Sequence, residues 1–171
     1  MGRGSSKVNK NLYHSIREDE LGLTREKASE LLDGITAERI ERIENEKSNP
    51  YPEEVMIMAE KYKSPQLINY YCSQQCPIGK KHIPEIKLKD LSQIVLGMLS
   101  SLNSMNAKKD KLIDITADGN IEDEELETFY EIQNELDKIS NLTNTLKLWT
   151  DNMISTGKIN KEKLNKLKNS K

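Results

Sequence analysis

The stretch Asp114 to Glu125 reads DITADGNIEDEE. Asp114, Thr116, Asp118, the Asn120 carbonyl, Glu122 and Glu125 stand at its first, third, fifth, seventh, ninth and twelfth positions. Gly119 is sixth and Ile121 eighth. That order of oxygen donors suits a calcium loop. The same residues suit a plain connection better. Gly119 favours a turn between two helices, and the acids from Glu122 to Glu125 favour the start of the second helix through its dipole. No second loop of this kind accompanies it, so the turn reading is adopted. Cys72 and Cys76 are four apart, and His82 follows six later. These are zinc ligands by type, but a structural site needs four. Two free thiols supporting a helix is the preferred reading. No P-loop, nucleophile elbow or His-bearing metal motif is present. The acid pairs Glu53–Glu54 and Glu124–Glu125 fall at helix starts and read as solvated. No catalytic residue, no metal and no cofactor is expected, and the chain does not read as an enzyme.

The composition agrees. Of 171 residues, 32% are charged and only 35% are apolar, with one Phe and one Trp. This is the profile of a helical protein with thin cores, poorly suited to a deep pocket. No apolar run is long enough for a membrane span. The start, MGRGSSKVNKN, has no apolar stretch and is not a secretory signal. A cytoplasmic location is expected. Net charge is −2, from 26 basic and 28 acidic residues, so no global basic field points to nucleic acid. Local features must identify the partner.

All five prolines lie between positions 50 and 84. Short helices are therefore expected before Pro84 and long uninterrupted ones after it. Leu12, Tyr13, Ile16 and Leu21 mark a first helix over 10–21. Thr24 is a good N-cap for a second, with Ala28, Leu31 and Leu32 as its buried stripe. Asp33-Gly34 is a turn signal. Thr36 caps a third helix, with Ile40 and Ile43 on one face. Val55, Met56, Met58, Ala59 and Tyr62 mark a fourth. Ser64-Pro65 opens a fifth. CPIGKKHIPEI, 76–86, reads as a linker. Beyond it, Leu88, Leu91, Ile94, Val95, Met98, Leu99, Leu102 and Met105 form one long stripe, which Leu112, Ile113 and Ile115 extend. Leu126, Phe129, Ile132, Leu136, Ile139, Leu142, Leu146, Trp149 and Met153 form another. Two such stripes joined near Gly119 predict an antiparallel helical hairpin. The tail from Asn160 reads as a short Lys-rich helix. The expectation is an all-α protein: five short helices in 1–75, a linker over 76–86, and a hairpin with a short last helix in 87–171.

Two short helices joined by a Gly turn, then a loop and further short helices, make a helix-turn-helix. The segment GLTREKASELLDGITAERIERIENEKSNP, 22–50, resembles the Cro/repressor-type (Xre-like) helix-turn-helix family. The matching residues are Gly22-Leu23-Thr24, Gly34-Ile35-Thr36, Ile40, Ile43, Glu44, Asn45, Lys47 and Pro50. NYYC…CPIG, 69–79, with a C-terminal hairpin, resembles a subgroup among bacterial mobile-element and phage-type regulators. The resemblance implies binding of double-stranded DNA. Thr24 and Arg25 at the start of the second helix, and Thr36 at the start of the third, would meet phosphate. The third helix would enter the major groove. Ala37 would touch a thymine methyl, Glu38 would accept from cytosine, and Arg42 would fork onto guanine. Arg39, Glu41 and Lys47 complete the implied set. Arg3, Lys7, Lys10 and Arg17, with no acid among the first 17 residues, read as a basic arm.

Three departures from the family pattern stand out. One extra residue separates Thr24 from Gly34. Glu46 stands where Gly usually follows Asn45. The third helix sets Glu38, Glu41 and Glu44 against Arg39 and Arg42, although affinity for DNA is largely electrostatic. The function expected is a sequence-specific transcriptional regulator, chiefly a repressor, that dimerises through its C-terminal hairpin. The alternative is a protein-interaction adaptor that keeps the scaffold and binds a protein partner.

Overall fold

The computed structural model describes residues 10–115 and 120–170. Among them every regular element is helical and no strand occurs. The chain opens with α1, Leu12–His14, started by Asn11, whose side chain accepts from the His14 N–H at 3.1 Å. It does not continue as the regular helix expected over 10–21. It widens into a π-helical segment, Ser15–Glu20, with the Leu21 N–H reaching the Ile16 carbonyl at 3.1 Å. The wider turn lets two successive residues, Ile16 and Arg17, point inward. Arg17 is therefore part of the interior and not of an open basic arm.

Helices α2 (Arg25–Leu32) and α3 (Ala37–Glu44) start where two threonines cap them. Thr24 Oγ1 accepts from the Lys27 N–H at 3.3 Å, and Thr36 Oγ1 from the Arg39 N–H at 3.2 Å. Each cap satisfies one of the donors that a helix start leaves unpaired. Between them Asp33 and Gly34 adopt φ of 35° and 107°, so the turn occupies left-handed space. Ala28 and Leu32 are fully buried, while Leu31 is 39% exposed and leaves the expected stripe. The third helix contributes Ile40 and Ile43 to the same core. Burying each such side chain is worth roughly 1.5–3 kcal/mol.

Helix α4 (Pro52–Lys61) follows a loop and starts on proline, where a missing N–H costs nothing. Val55, Met58, Ala59 and, just past its end, Tyr62 pack inward, but Met56 faces solvent. Helix α5 (Gln66–Gln74) adds Leu67 to the core, and Tyr70 meets Tyr13 edge-on at 5.5 Å. The segment 76–86 is not a free linker. It contains a four-residue helix, α6 (Gly79–His82), laid directly on α5. A Cβ at Gly79 would stand 2.0 Å from the Cys72 carbonyl oxygen, so only glycine permits this approach. The Asn69 amide and the Gln74 amide tie Pro84 and Glu85 back to α5 at 3.1 and 3.3 Å.

The chain divides into two compact units. One is built from the chain up to Glu85 and from Asn152 onward, the other from Ile86 to Asp151. The last short helix, α9 (Lys161–Asn169), thus groups with the N-terminal unit, not with the hairpin into which the sequence places it. In the same unit Ser155 Oγ donates to the Lys63 carbonyl at 3.1 Å.

The second unit is the hairpin of α7 (Leu91–Ile115) and the part of α8 (Leu126–Ser155) up to Asp151, packed together. On α7 the inward face keeps Ile94, Met98, Met105, Leu112 and Ile115 of the stripe read in sequence and adds Gly97, Ser101 and Lys108. A Cβ at Gly97 would come within 3.0 Å of Leu142, and Lys108 pairs with Glu131 at 2.9 Å. Glu135 is buried, and hydrogen bonds from Ser101 and then Lys138 hold its carboxyl below the usual range. Val95, Leu99 and Leu102, expected inside, are 43%, 54% and 51% exposed.

Candidate nucleic-acid interface

The two capped helix starts and α3 supply the surface that the resemblance points to. Thr24, Thr36, Glu38, Arg42 and Lys47 are exposed, while Arg25, Ala37, Arg39 and Glu41 are half-buried. Both threonine oxygens already accept from their own helices; the Thr24 hydroxyl also bonds the Glu26 carboxylate, while the Thr36 hydroxyl hydrogen is left to donate. Arg42 forms no side-chain hydrogen bond or ion pair among the described residues. It is the one arginine of α3 whose fork is uncommitted. Glu41 receives a long bond of 3.4 Å from the Asn45 amide.

Arg39 is engaged elsewhere. Its Nε and Nη2 donate to the two Glu54 oxygens at 2.7 Å each, Nη1 to Ser48 Oγ at 2.7 Å, and Nη2 to the Asn49 carbonyl at 3.0 Å. Its guanidinium also lies over the Tyr51 ring, 5.1 Å from the centroid. Burial pushes the Glu54 carboxyl up, but Arg39 and the Tyr51 N–H outweigh it and hold it below the ordinary value. Glu54 is thus no solvated acid. It is the third helical residue of α4, bonded to the Tyr51 N–H at 2.7 Å, and it anchors the α3–α4 loop through Arg39. The signal for this was present in sequence, as a glutamate at the third position after a proline start.

Arg25 points at Glu44, with Nε 2.9 Å from Oε2. The same carboxylate accepts from Arg17 Nε, and from Arg17 Nη2 at 2.9 Å. Arg17 Nη1 also donates to the Leu23 carbonyl. The Glu44 and Arg17 side chains are only 1% and 4% exposed. The Arg17 guanidinium is raised above its ordinary value, chiefly by its bonds to Glu44. These pairings change the charge balance of α3. Glu44 is withdrawn and matched by two guanidiniums, and Arg39 is matched by Glu54. What α3 presents outward is Glu38 and Glu41 against Arg42, with Lys47 just beyond.

Lys10 reaches Glu18 at 2.6 Å and Asp19 at 2.7 Å, so it is drawn onto its own domain. Arg3 and Lys7 lie outside the described residues. Glu46 has φ of 56°, the left-handed position where the family usually carries glycine. The Glu46 and Lys47 N–H groups close the end of α3 on the Ile43 and Arg42 carbonyls at 3.1 and 2.9 Å.

The other sequence candidates fall away from this surface. Asp114 is the penultimate residue of α7, and Thr116 and Asp118 lie outside the described residues. Glu125 accepts from the Glu122 N–H at 3.1 Å, a capping contact just before α8. Asn120 and Glu122 are exposed. Cys72 and Cys76 are free and half-buried, and the Gly79 N–H points at Cys76 Sγ at 3.4 Å. His82 is exposed at the end of α6. Among the described residues no group of three or more His, Cys, Asp or Glu side chains is placed to hold a metal ion. No helix among them is long and apolar enough to cross a membrane.

Compared with known families, residues 14–66 match the model described as Helix-turn-helix, a span from α1 to the start of α5. No curated protein and no solved structure matches the chain. The capped α2–turn–α3 unit lies within the matched span, and residues 14–66 carry the similarity to the Cro/C1-type (Xre-like) helix-turn-helix family.

Proposed function

We propose that the protein is a sequence-specific transcriptional regulator that represses by occupying operator DNA, with α3 in the major groove. The observation that carries this reading is the uncommitted, exposed Arg42 on a helix whose other arginine, Arg39, is held by Glu54 and whose Glu44 is matched by Arg17 and Arg25. An arginine in that state can fork onto a guanine without breaking an internal bond. Ala37 and Glu38 lie one turn earlier and would read neighbouring bases. Thr24, Thr36 and Lys47 would meet phosphates, and Arg3 and Lys7 would extend along the duplex. Arg25 and Arg39 act differently: they hold α2, α3 and the α3–α4 loop in the docking geometry. The chain works as a homodimer through its C-terminal unit, in the cytoplasm, by binding and not by catalysis.

Glu38 and Glu41 favour a second reading, in which the same scaffold binds a protein and avoids DNA. Capture of genomic fragments on the purified full chain, at low and moderate salt, separates the two. One recovered motif, with affinity falling steeply as salt rises, supports the regulator. No enrichment at low salt supports the adaptor.

A further inference from the structure

Cys72 and Cys76 bracket the seat of α6. Cys72 lies in the last turn of α5, and Gly79 rests on its backbone. A Cβ at Gly79 would meet the Cys72 carbonyl oxygen at 2.0 Å, its carbonyl carbon at 2.8 Å and its Cα at 3.2 Å. Cys76 lies just past α5 and holds the start of α6 twice. Its carbonyl accepts from the Lys80 N–H at 2.9 Å, and its Sγ from the Gly79 N–H at 3.4 Å. The end of α5 is already widened there, because the Gln75 and Cys76 N–H groups both bond the Tyr71 carbonyl at 2.9 Å. Both thiols are free and half-buried, so a small solute can reach them. Burial first, then Cys76 and Cys72, raise the Tyr71 phenol above its ordinary value, so both thiols lie within electrostatic reach of one hydroxyl.

We propose that Cys72 and Cys76 form a modification site for hydroperoxides, closing to a disulfide that unseats α6 from α5. One thiol attacks the peroxide as its thiolate and takes an oxygen, giving a sulfenic acid and releasing water or an alcohol. The other thiol attacks that sulfur, the S–S bond forms, and the hydroxyl leaves as water. The two sulfurs lose two electrons and two protons, and the peroxide O–O bond takes them up. Residues four apart on a helix have Cα atoms about 6 Å apart, inside the disulfide range of about 4.4–6.8 Å. Their Cβ atoms, about 5–6 Å apart, must close by about 1–2 Å. Cys72 is fixed within α5, so Cys76 makes that movement. It cannot do so in place. Gly79 already touches Cys72 with no clearance, and Cys76 carries the start of α6 with it. The bridge also takes Cys76 Sγ away from the Gly79 N–H, which removes a cap. Oxidation therefore turns 76–86 from an anchored segment into a loose one, and reduction seats it again. This chemistry is independent of whether α3 binds DNA.

The test treats the reduced full chain, dilute and without denaturant, with a slight excess of hydrogen peroxide. Both free thiols should disappear while the chain stays a monomer on a non-reducing gel. The tryptic peptide 64–80, which holds both cysteines and no methionine, should lose the mass of two hydrogens. Amides of 79–86 should then exchange about tenfold faster or more, while those of α4 keep their rate. A dithiol reductant should restore both readings. Cys72→Ser and Cys76→Ser, each verified as folded by far-ultraviolet circular dichroism, should show neither the bridge nor the faster exchange on oxidation. Serine at 76 keeps an oxygen for the Gly79 N–H, so that variant separates loss of the bridge from loss of the cap. A disulfide between chains, oxidation that stops at sulfinic acid, or closure only in denaturant would each overturn the site. A bridge that leaves the exchange of 79–86 unchanged would overturn the unseating of α6.

Discussion

Arg39 and Arg42 sit three residues apart on α3 and do different work. Arg39 has four of its five N–H groups spent on Glu54, Ser48 and Asn49. Arg39→Ala should therefore lower stability by about 2–3 kcal/mol, the scale of hydrogen bonds to a charged group, read from the denaturant midpoint. Arg42→Ala should leave that midpoint within about 0.5 kcal/mol and cost about 1–3 kcal/mol of discrimination at one operator base pair, read by competition binding. Equal effects of both changes on stability would contradict the division of roles. Glu46 gives a second residue-scale test. It holds a left-handed backbone with a side chain that disfavours it, so Glu46→Gly should stabilise the fold by about 1 kcal/mol. The absence of the expected glycine was legible in sequence. That the chain keeps the left-handed turn regardless was not, because the α3 end bonds decide it.

At the scale of elements, α6 exists because Gly79 lets its backbone lie against the Cys72 carbonyl. Gly79→Ala would force α6 off α5, with a midpoint loss of at least 1 kcal/mol, the cost of overpacking, and freer exchange of the amides of 79–86. The sequence reads this stretch as a linker because four helical residues carry no periodicity. The π-helical segment offers a pH test. Lys10, then His14, holds the Glu18 carboxyl at about 2, below its ordinary 4.5. The folded value is depressed, so the stability it confers is complete above pH 4.5. It is lost as pH falls from 4.5 towards 2. Thermal melts across that window should show a decline that Glu18→Gln flattens.

At the scale of the molecule, net charge near zero gives no long-range field to gather DNA, and the proposed attraction would come from local groups, those around α2 and α3 with Arg3 and Lys7. The homodimer proposed for these readers would bind two half-sites better than one. Binding to a palindromic operator should therefore depend steeply on protein concentration, and binding to an isolated half-site should not, in titrations at fixed salt.

The helix content, the threonine caps, the Asp33-Gly34 turn and the helix-turn-helix family were all readable from local signals. Capping, turn chemistry and helical spacing act within a few residues and need no tertiary contact. Three other things could not be read so. Glu44 looked like a carboxylate facing phosphate, and only the approach of Arg17 and Arg25 from other helices made it an interior counter-charge. Glu54 looked solvated until the fold brought Arg39 across to it. On α7 two stripes at helical spacing overlap in the sequence, one with Ile94 and Ser101, the other with Leu99 and Leu102. Spacing cannot rank them. The structure turned Ile94 and Ser101 inward together with Met98, Met105, Leu112 and Ile115, because Gly97 admits Leu142 and Ser101 and Ser104 satisfy Glu135, and so left Leu99 and Leu102 facing out.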